Sequence, residues 1–349
     1  MNESASPAVG PPWHRPLRGR LDELAIDSVA LRGNPLNDPS VRPLWVYSPP
    51  GEVTSIELPV IYLIQGFTGQ LDMWRNRSSQ RLTAIELIDE LFSDPSVPPC
   101  RVAMIDCWTS LGGSQFLDSP ATGRYHTYLC EEAIPFVDAH YSTRAHRDHR
   151  AISGKSSGGY GAMITPMLRP DLFGGLASHA GDALFELCYW RDVPEVVRAL
   201  REQYGGSYEG FFADLRGRMP WSRKEDGVLL NMWAMAAAYS ADDDGTVRLP
   251  FDASTGQMIP EVWERWLAWD PVRMVPRYAD ALRSLAAIYI DAGTRDEFFL
   301  DLGATAFRNA LGEIGIAEMH FELFDAGHMS IEYRYPVAMR YLAERISGS

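Results

Sequence analysis

The strongest constraint on how this chain folds is a set of short apolar runs with no polar face. "LPVIYLIQG" (58–66) and "CRVAMIDCW" (100–108) are almost continuously apolar, and the strand-like "GGLASHAG" (174–181) and "LAAIYIDAG" (285–293) also end in glycine. A strand with one face in water alternates apolar and polar residues, whereas a strand covered on both faces does not. Runs of this kind belong to parallel sheets sandwiched between helices. Between them lie segments with apolar residues at helical spacing: "SQRLTAIELIDELF" (79–92), "RYHTYLCEEAIPFVDAHY" (124–141, interrupted by Pro135), "FLDLGATAFRNALGEIG" (299–315) and "EYRYPVAMRYLAERI" (332–346). "PLWVYSPP" (43–50) alternates as an edge strand does, and "MHFELFDAG" (319–327) reads as the last strand. The expected class is α/β, with a mostly parallel central sheet flanked by helices.

Residues 183–276 interrupt that alternation. They contain helical pieces but no buried strand, and they hold six of the ten tryptophans: Trp190, Trp221, Trp233, Trp263, Trp266 and Trp269. An apolar helical insertion between two sheet strands is expected to form a cap over the carboxyl edge of the sheet, where ligands bind in open α/β folds. The expected organisation is a flexible proline- and glycine-rich lead over 1–18, a core over 19–182 and 277–349, and a helical cap over 183–276.

The stretch "AISGKSSGGYGA" (151–162) has two incompatible readings. Gly154-Lys155-Ser156 resembles the end of a phosphate-binding P-loop, G-x-x-x-x-G-K-[ST]. That motif needs a glycine where the chain has His149, and a loop where residues 150–153 read as strand. Gly154 to Gly158 also spell G-x-S-x-G, a nucleophile elbow, in which a strand, a tight turn and a helix thrust a serine out at the sheet's carboxyl edge. Here the strand precedes, small residues follow, and a helix is expected to about Leu168.

An elbow serine needs a base, and the base needs an orienting acid. "LFDAGHMS" places His328 just past the last strand, and "IYIDAGTRDEFF" supplies Asp291, Asp296 and Glu297 after the strand before it, with Asp301 close behind. His14, His140, His146 and His149 read as surface or turn residues, His126 as a helix start and His320 as part of a strand. His179 ends a strand and is assigned to the substrate side or to structure. Trp108, His179, Trp190 and Trp233 are the candidates for lining a substrate pocket.

With these residues in place, the chain resembles the esterase D and antigen 85-like esterase family of α/β-hydrolases, which includes S-formylglutathione hydrolases, feruloyl esterases and mycolyltransferases. The resemblance rests on "VIYLIQGFTG", "GRYHTYLCEEAIPFVDAHY", "ISGKSSGGYGAM", "PDLFGGLASHAG", "DAGTRDEF" and "FDAGHMSIEY", in that order. It implies an α/β-hydrolase fold with Ser156 as nucleophile, Asp296 as acid in G-x-x-D from Gly293, and His328 as base. It also implies an oxyanion hole from the backbone N–H groups of Phe67 and Ser157. Two departures stand out. The insertion is long, and Lys155 occupies a position that is usually not basic in the family. The expected role of Lys155 is to pair with a carboxylate behind the elbow; the other role open to it is to favour acidic acyl groups.

The expected activity is hydrolysis of a small-molecule carboxylic ester, or a thioester, without a cofactor or metal. The alternatives are acyl transfer to an alcohol through the same triad, and a catalytically silent binding protein. The formal net charge of −14 disfavours nucleic acid and anionic membranes as partners. The chain contains no run of about 18 apolar residues that would span a membrane. "SADDDGTVRLPFD" (240–252) resembles a calcium loop only in part, since Phe251 stands where calcium needs a carboxylate. The four cysteines lack metal spacing and are expected to be reduced core thiols, and the N-terminal residues lack an apolar signal segment, so a cytoplasmic protein is expected. Oligomeric state is not legible from the sequence.

Overall fold

The computed structural model describes residues 15–51 and 56–348. Residues 1–14 of the expected lead, with His14, lie outside them. An eight-stranded sheet forms the centre of the molecule: β1 (Arg20–Asp27), β2 (Val41–Ser48), β3 (Val60–Ile64), β4 (Arg101–Ile105), β5 (Arg150–Lys155), β6 (Gly175–His179), β7 (Ala287–Gly293) and β8 (His320–Phe324). Its spatial order is β1-β2-β4-β3-β5-β6-β7-β8. The β1–β2 and β2–β4 pairs are antiparallel, and every other pair is parallel. This is the α/β architecture expected from the apolar runs.

The buried strands face both ways, which is why they read as continuously apolar. In β3, Val60, Tyr62 and Ile64 point into one hydrophobic layer, and Ile61 and Leu63 into the other. The second layer is closed by α1 (Ala84–Phe92) and by α9 (Arg334–Ile346), the last helix of the chain. α1 starts at a capping box: the Thr83 hydroxyl accepts from the Glu86 N–H at 3.2 Å, and the Glu86 carboxylate accepts from the Thr83 N–H at 2.8 Å. The helix therefore begins five residues later than its apolar pattern. The first layer holds α2 (Ile134–His140), α3 (Ser157–Leu168) and α8 (Leu300–Glu313). Ahead of α2 the helical ladder widens to a π-type turn over Tyr128–Ala133, just before Pro135, which has no N–H to donate.

One strand assignment changes. β2 is not an edge, because β1 pairs with it along its whole length. β1 carries Asp22, Glu23 and Asp27, and only Ile26 is fully buried. An outer strand studded with charge suits an edge, since it resists pairing with another chain.

Between β6 and β7, residues 185–274 form helices and contribute no strand to the main sheet. The longer ones are α4 (Val193–Gln203), α5 (Tyr208–Arg216), α6 (Asp226–Tyr239) and α7 (Pro260–Leu267). The buried Asp270 ties the two ends of this segment together by accepting from the N–H groups of Leu184 (3.1 Å), Phe185 (3.0 Å) and Val272 (3.0 Å). Tyr160 of α3 meets Phe185 and Tyr239 with ring centroids 6.1 and 5.8 Å apart, so the segment shares a core with the sheet.

Asp291, one of the four acid candidates, belongs to a buried polar cluster on the β7–α9 side. Its carboxylate accepts from His179 Nδ1 (2.6 Å), Arg334 Nε (2.8 Å) and the Tyr289 hydroxyl (3.0 Å). Burial alone raises its pKa, but the His179 ring and the Arg334 guanidinium outweigh burial and hold it below the usual carboxylate range. A depressed folded-state pKa means the stabilisation is complete above about pH 4 and is lost as pH falls through the folded value. Asp291→Asn is expected to cost about 1–3 kcal/mol in urea unfolding, because the buried Arg334 guanidinium keeps Glu322 but loses the other of its two carboxylates. Below about pH 4 its stability should fall less steeply than that of the wild type, since the group that takes up the proton is gone.

Candidate active site

The ends of β3, β5 and β6 lie level at the carboxyl edge of the sheet, with Ile64 beside Gly154 and Lys155 beside His179. At this edge β5 turns into α3 through Ser156, whose backbone is at φ 59° and ψ −126°. A non-glycine residue in that region is strained and persists only where the surroundings enforce it. The flanking glycines serve a different purpose, because neither has a positive φ. A Cβ on Gly154 would lie 2.5 Å from the Gly158 carbonyl group, and one on Gly158 would lie 2.6 and 2.7 Å from the Ile64 and Gln65 carbonyl oxygens. Glycine is needed at both for close approach of backbones, while the strain falls on the serine itself.

His328 follows β8, and its Nδ1 lies 2.7 Å from Asp296 Oδ2, with both side chains buried. An ionised carboxylate only accepts, so Nδ1 donates and Nε2 is left as an acceptor. The other Asp296 oxygen accepts from the Phe298 N–H at 2.8 Å. Glu297 contacts His328 differently: its carboxylate accepts the His328 backbone N–H at 2.7 Å. That bond, followed by one from its own backbone N–H, holds its pKa below the usual glutamate range. Asp301 sits in the first turn of α8, and Asp291 is engaged with His179, so among the four carboxylates Asp296 is the one on the His328 ring.

A cavity of about 800 Å³ opens over the elbow, and Ser156, Ser157, Phe67, Lys155 and His328 line it. Phe67 is braced by the short ladder Trp108–Thr109 with Gly112–Gly113, where the Gly113 Cα leaves room for only 3.2 Å between an added Cβ and the Phe67 Cα. The wall opposite comes from the helical segment and includes Tyr189, Arg191, Trp221 and Asn231.

The four expected pocket residues are not among the lining residues. The Trp108 carbonyl binds Arg42 and Tyr125, in the ladder behind Phe67. His179 is buried against Asp291. Trp190 packs on Trp263, with centroids 5.0 Å apart, and Trp233 packs on Tyr208 at 4.7 Å. Aromatic side chains in the helical segment find partners in one another before they reach the cavity. Tyr189 and Trp221 are the exceptions: both line the cavity, Tyr189 while packing on Phe185 and Tyr239, and Trp221 while 57% exposed.

Asp182, just after β6, was not singled out by sequence reasoning. It lines the cavity, and its Oδ2 accepts from the hydroxyls of Tyr189 (2.8 Å) and Ser157 (3.1 Å) and from Gln115 Nε2 (3.2 Å). Burial raises its pKa against the pull of these donors. The bond to Ser157 anchors the first residue of α3. Its only signal in the sequence is its place immediately after the strand end "SHAG".

Lys155 departs from expectation. Among the described residues no carboxylate lies within 4.0 Å of its ammonium, and its contact is the Met329 sulfur at 4.0 Å. Asp242, in the partial calcium loop, is held by Arg265 (2.8 Å) and Arg248 (2.5 Å).

Comparison with known proteins adds the following. The family model described as "Putative esterase" matches residues 40–329. An endo-1,4-beta-xylanase/feruloyl esterase of Xylanibacter ruminicola is 27% identical over 116 residues, which is 33% of this chain and 15% of that protein. The match thus spans a small part of that relative's length. Among solved structures, a ferulic acid esterase superposes with a TM-score of 0.59 at 18% identity, covering 95% of this chain and 99% of the other. An S-formylglutathione hydrolase from Agrobacterium tumefaciens gives 0.56 at 17% identity, with 95% and 98% covered. These two share the α/β-hydrolase fold with this chain.

The steric account of the elbow predicts opposite outcomes at two glycines. Gly158→Ala forces a Cβ onto fixed backbone carbonyls and is expected to destabilise the protein by about 1–3 kcal/mol. Gly312→Ala, in α8 with nothing within 4 Å of the new Cβ, is expected to stabilise it by up to about 1 kcal/mol. Urea unfolding of both variants checks the pair.

Proposed function

The chain belongs to the Esterase family, and from that premise we propose that it hydrolyses carboxylic esters through an acyl-serine on Ser156. In this reading His328 Nε2 takes the proton from Ser156 as the hydroxyl oxygen attacks the ester carbonyl. Asp296 holds the imidazole in the tautomer that leaves Nε2 free and stabilises the imidazolium once it forms. The N–H groups of Phe67 and Ser157 receive the charge that develops on the carbonyl oxygen. His328 then gives its proton to the leaving oxygen. A water molecule activated by the same imidazole attacks the acyl-serine, releasing the acid and restoring Ser156. Thioesters follow the same route, with a thiolate as leaving group, and neither route calls for a cofactor.

The observation that carries this reading is a combination. His328 is bonded to buried Asp296 at 2.7 Å, and His328 and a strained Ser156 open onto one cavity. We assign the helical segment 183–276 the part of a cap, on the grounds that Tyr189, Trp221 and Asn231 reach the cavity from it. A reducing, cytoplasmic setting fits the four cysteines, all free and buried. Among the described residues no helix is long and apolar enough to cross a membrane.

Ser156→Ala is expected to lower kcat on a short 4-nitrophenyl ester by about 10⁴-fold or more while leaving the melting temperature near that of the wild type. Asp296→Asn should cost about 10³–10⁴-fold, because the amide no longer enforces the productive tautomer. Glu297→Gln should cost no more than about tenfold, since an amide oxygen can still accept the His328 N–H. A fluorophosphonate probe should label the wild type at Ser156. Turnover in Ser156→Ala close to that of the wild type overturns the assignment, and a larger loss in Glu297→Gln than in Asp296→Asn moves the acid to Glu297.

A further inference from the structure

The charged groups around the cavity are mostly paired. Arg77 is closed off by Glu86, Arg191 pairs with Asp192 at 3.0 Å, and Arg81 reaches Glu332 at 3.9 Å. Asp182 is satisfied by hydroxyl and amide donors. Lys155 is different. It is half-buried, it lines the cavity beside Ser156, and among the described residues it has no carboxylate within 4.0 Å. Burial pushes its pKa down, opposed by the more distant charges of Glu332, Asp296 and Glu297. A cation drawn part of the way out of water without a partner is unfavourable, and an arriving anion relieves that cost.

Its position also indicates which half of a substrate it meets. The ammonium rests against Met329, the residue after His328, and Glu332, which interacts with Arg81, lies on the same wall. His328 must deliver its proton to the leaving oxygen, so the leaving half of the ester departs on this side of the cavity. We propose that Lys155 anchors a carboxylate carried by the leaving-group half of the ester. This rests on the acyl-serine reading, and it identifies the substrate class as esters of hydroxy acids rather than of neutral alcohols. The structural role expected for Lys155, pairing behind the elbow, is replaced by one that faces the ligand.

The test compares kcat/KM for 4-acetoxyphenylacetate and its methyl ester, which share a phenol leaving group and differ in the distal charge. The wild type should favour the acid by about tenfold or more. Lys155→Met should bring that ratio close to one, and Lys155→Arg should retain most of it. A second pair, mono-4-nitrophenyl adipate and its methyl-capped diester, carries the charge on the acyl half and should show a smaller preference. The proposal is overturned if the wild type hydrolyses both phenylacetates without preference. It is also overturned if Lys155→Met slows both equally, or if the preference appears only in the adipate pair. Failure of the wild type to hydrolyse any of the four, together with no fluorophosphonate labelling, rejects the acyl-serine reading instead. Calorimetric titration then decides the anchor directly. 4-Hydroxyphenylacetate should bind the wild type more tightly than 4-hydroxyphenylacetamide does, and Lys155→Met should abolish the difference; equal binding of the two by the wild type overturns the anchor.

Discussion

The contact between Gly158 and the carbonyl groups of Ile64 and Gln65 fixes the geometry on which the site depends. With no side chain at Gly158, the first turn of α3 lies directly against the end of β3. That approach brings the chain after β3, including Gly66 and Phe67, alongside the elbow; an added Cβ on Gly66 would sit 3.2 Å from the Lys155 carbonyl oxygen and 3.5 Å from the Ser156 Cβ. Two distant parts of the chain, the segment after β3 and the start of α3, are thereby brought side by side. The strain at Ser156 follows from the same arrangement, since the chain must reverse between Gly154 and Gly158 while their backbones nearly touch. The oxyanion donors proposed for Phe67 and Ser157 would be well served by such fixed backbone, because nothing has to reorganise when charge develops.

Buried aspartates show how one residue type is put to four uses by its surroundings. Asp270 accepts three backbone N–H groups and closes the ends of the helical segment. Asp291 is matched to an arginine and a histidine and binds β7 to α9. Asp182 faces only neutral donors, so burial governs it and raises its pKa. Asp296 combines a backbone N–H with the ring of His328. His179 with Asp291 and His328 with Asp296 are both buried histidine–aspartate pairs, at 2.6 and 2.7 Å. What separates them is access: His328 lines the cavity, and His179 does not.

Where the sequence was legible, a local pattern carried the information. β3, β4 and β7 are readable because both of their faces are buried, so the apolar run has no gap. β1 was not readable as a strand, because its exposed edge carries acids and only Ile26 is fully buried. The elbow and the Asp296–His328 order were readable because the chain presents them at strand ends, where position along the sequence nearly equals position in space. Pocket residues fail this condition. Trp190 and Trp233 look available in the sequence, but their partners Trp263 and Tyr208 lie on other helices and cover them. Asp182 acquires its surroundings from Gln115, Tyr189 and Ser157, three separate segments that no spacing rule brings together.

The same distinction explains why the chemistry and the specificity of this chain rest on different physical grounds. The groups proposed to react sit at the ends of strands whose register is set by hydrogen bonds and by packing on both faces, so small changes elsewhere leave them in place. The opposite wall is built from side chains on helices that are held by aromatic packing and by the Asp270 clasp. Such a wall can change its lining without disturbing the sheet. Lys155 stands at the junction of the two. It is the last residue of β5, and its side chain reaches Met329, the residue after His328. Its backbone belongs to the rigid half of the site, so the proposed anion anchor would depend on the elbow strand rather than on the helical wall.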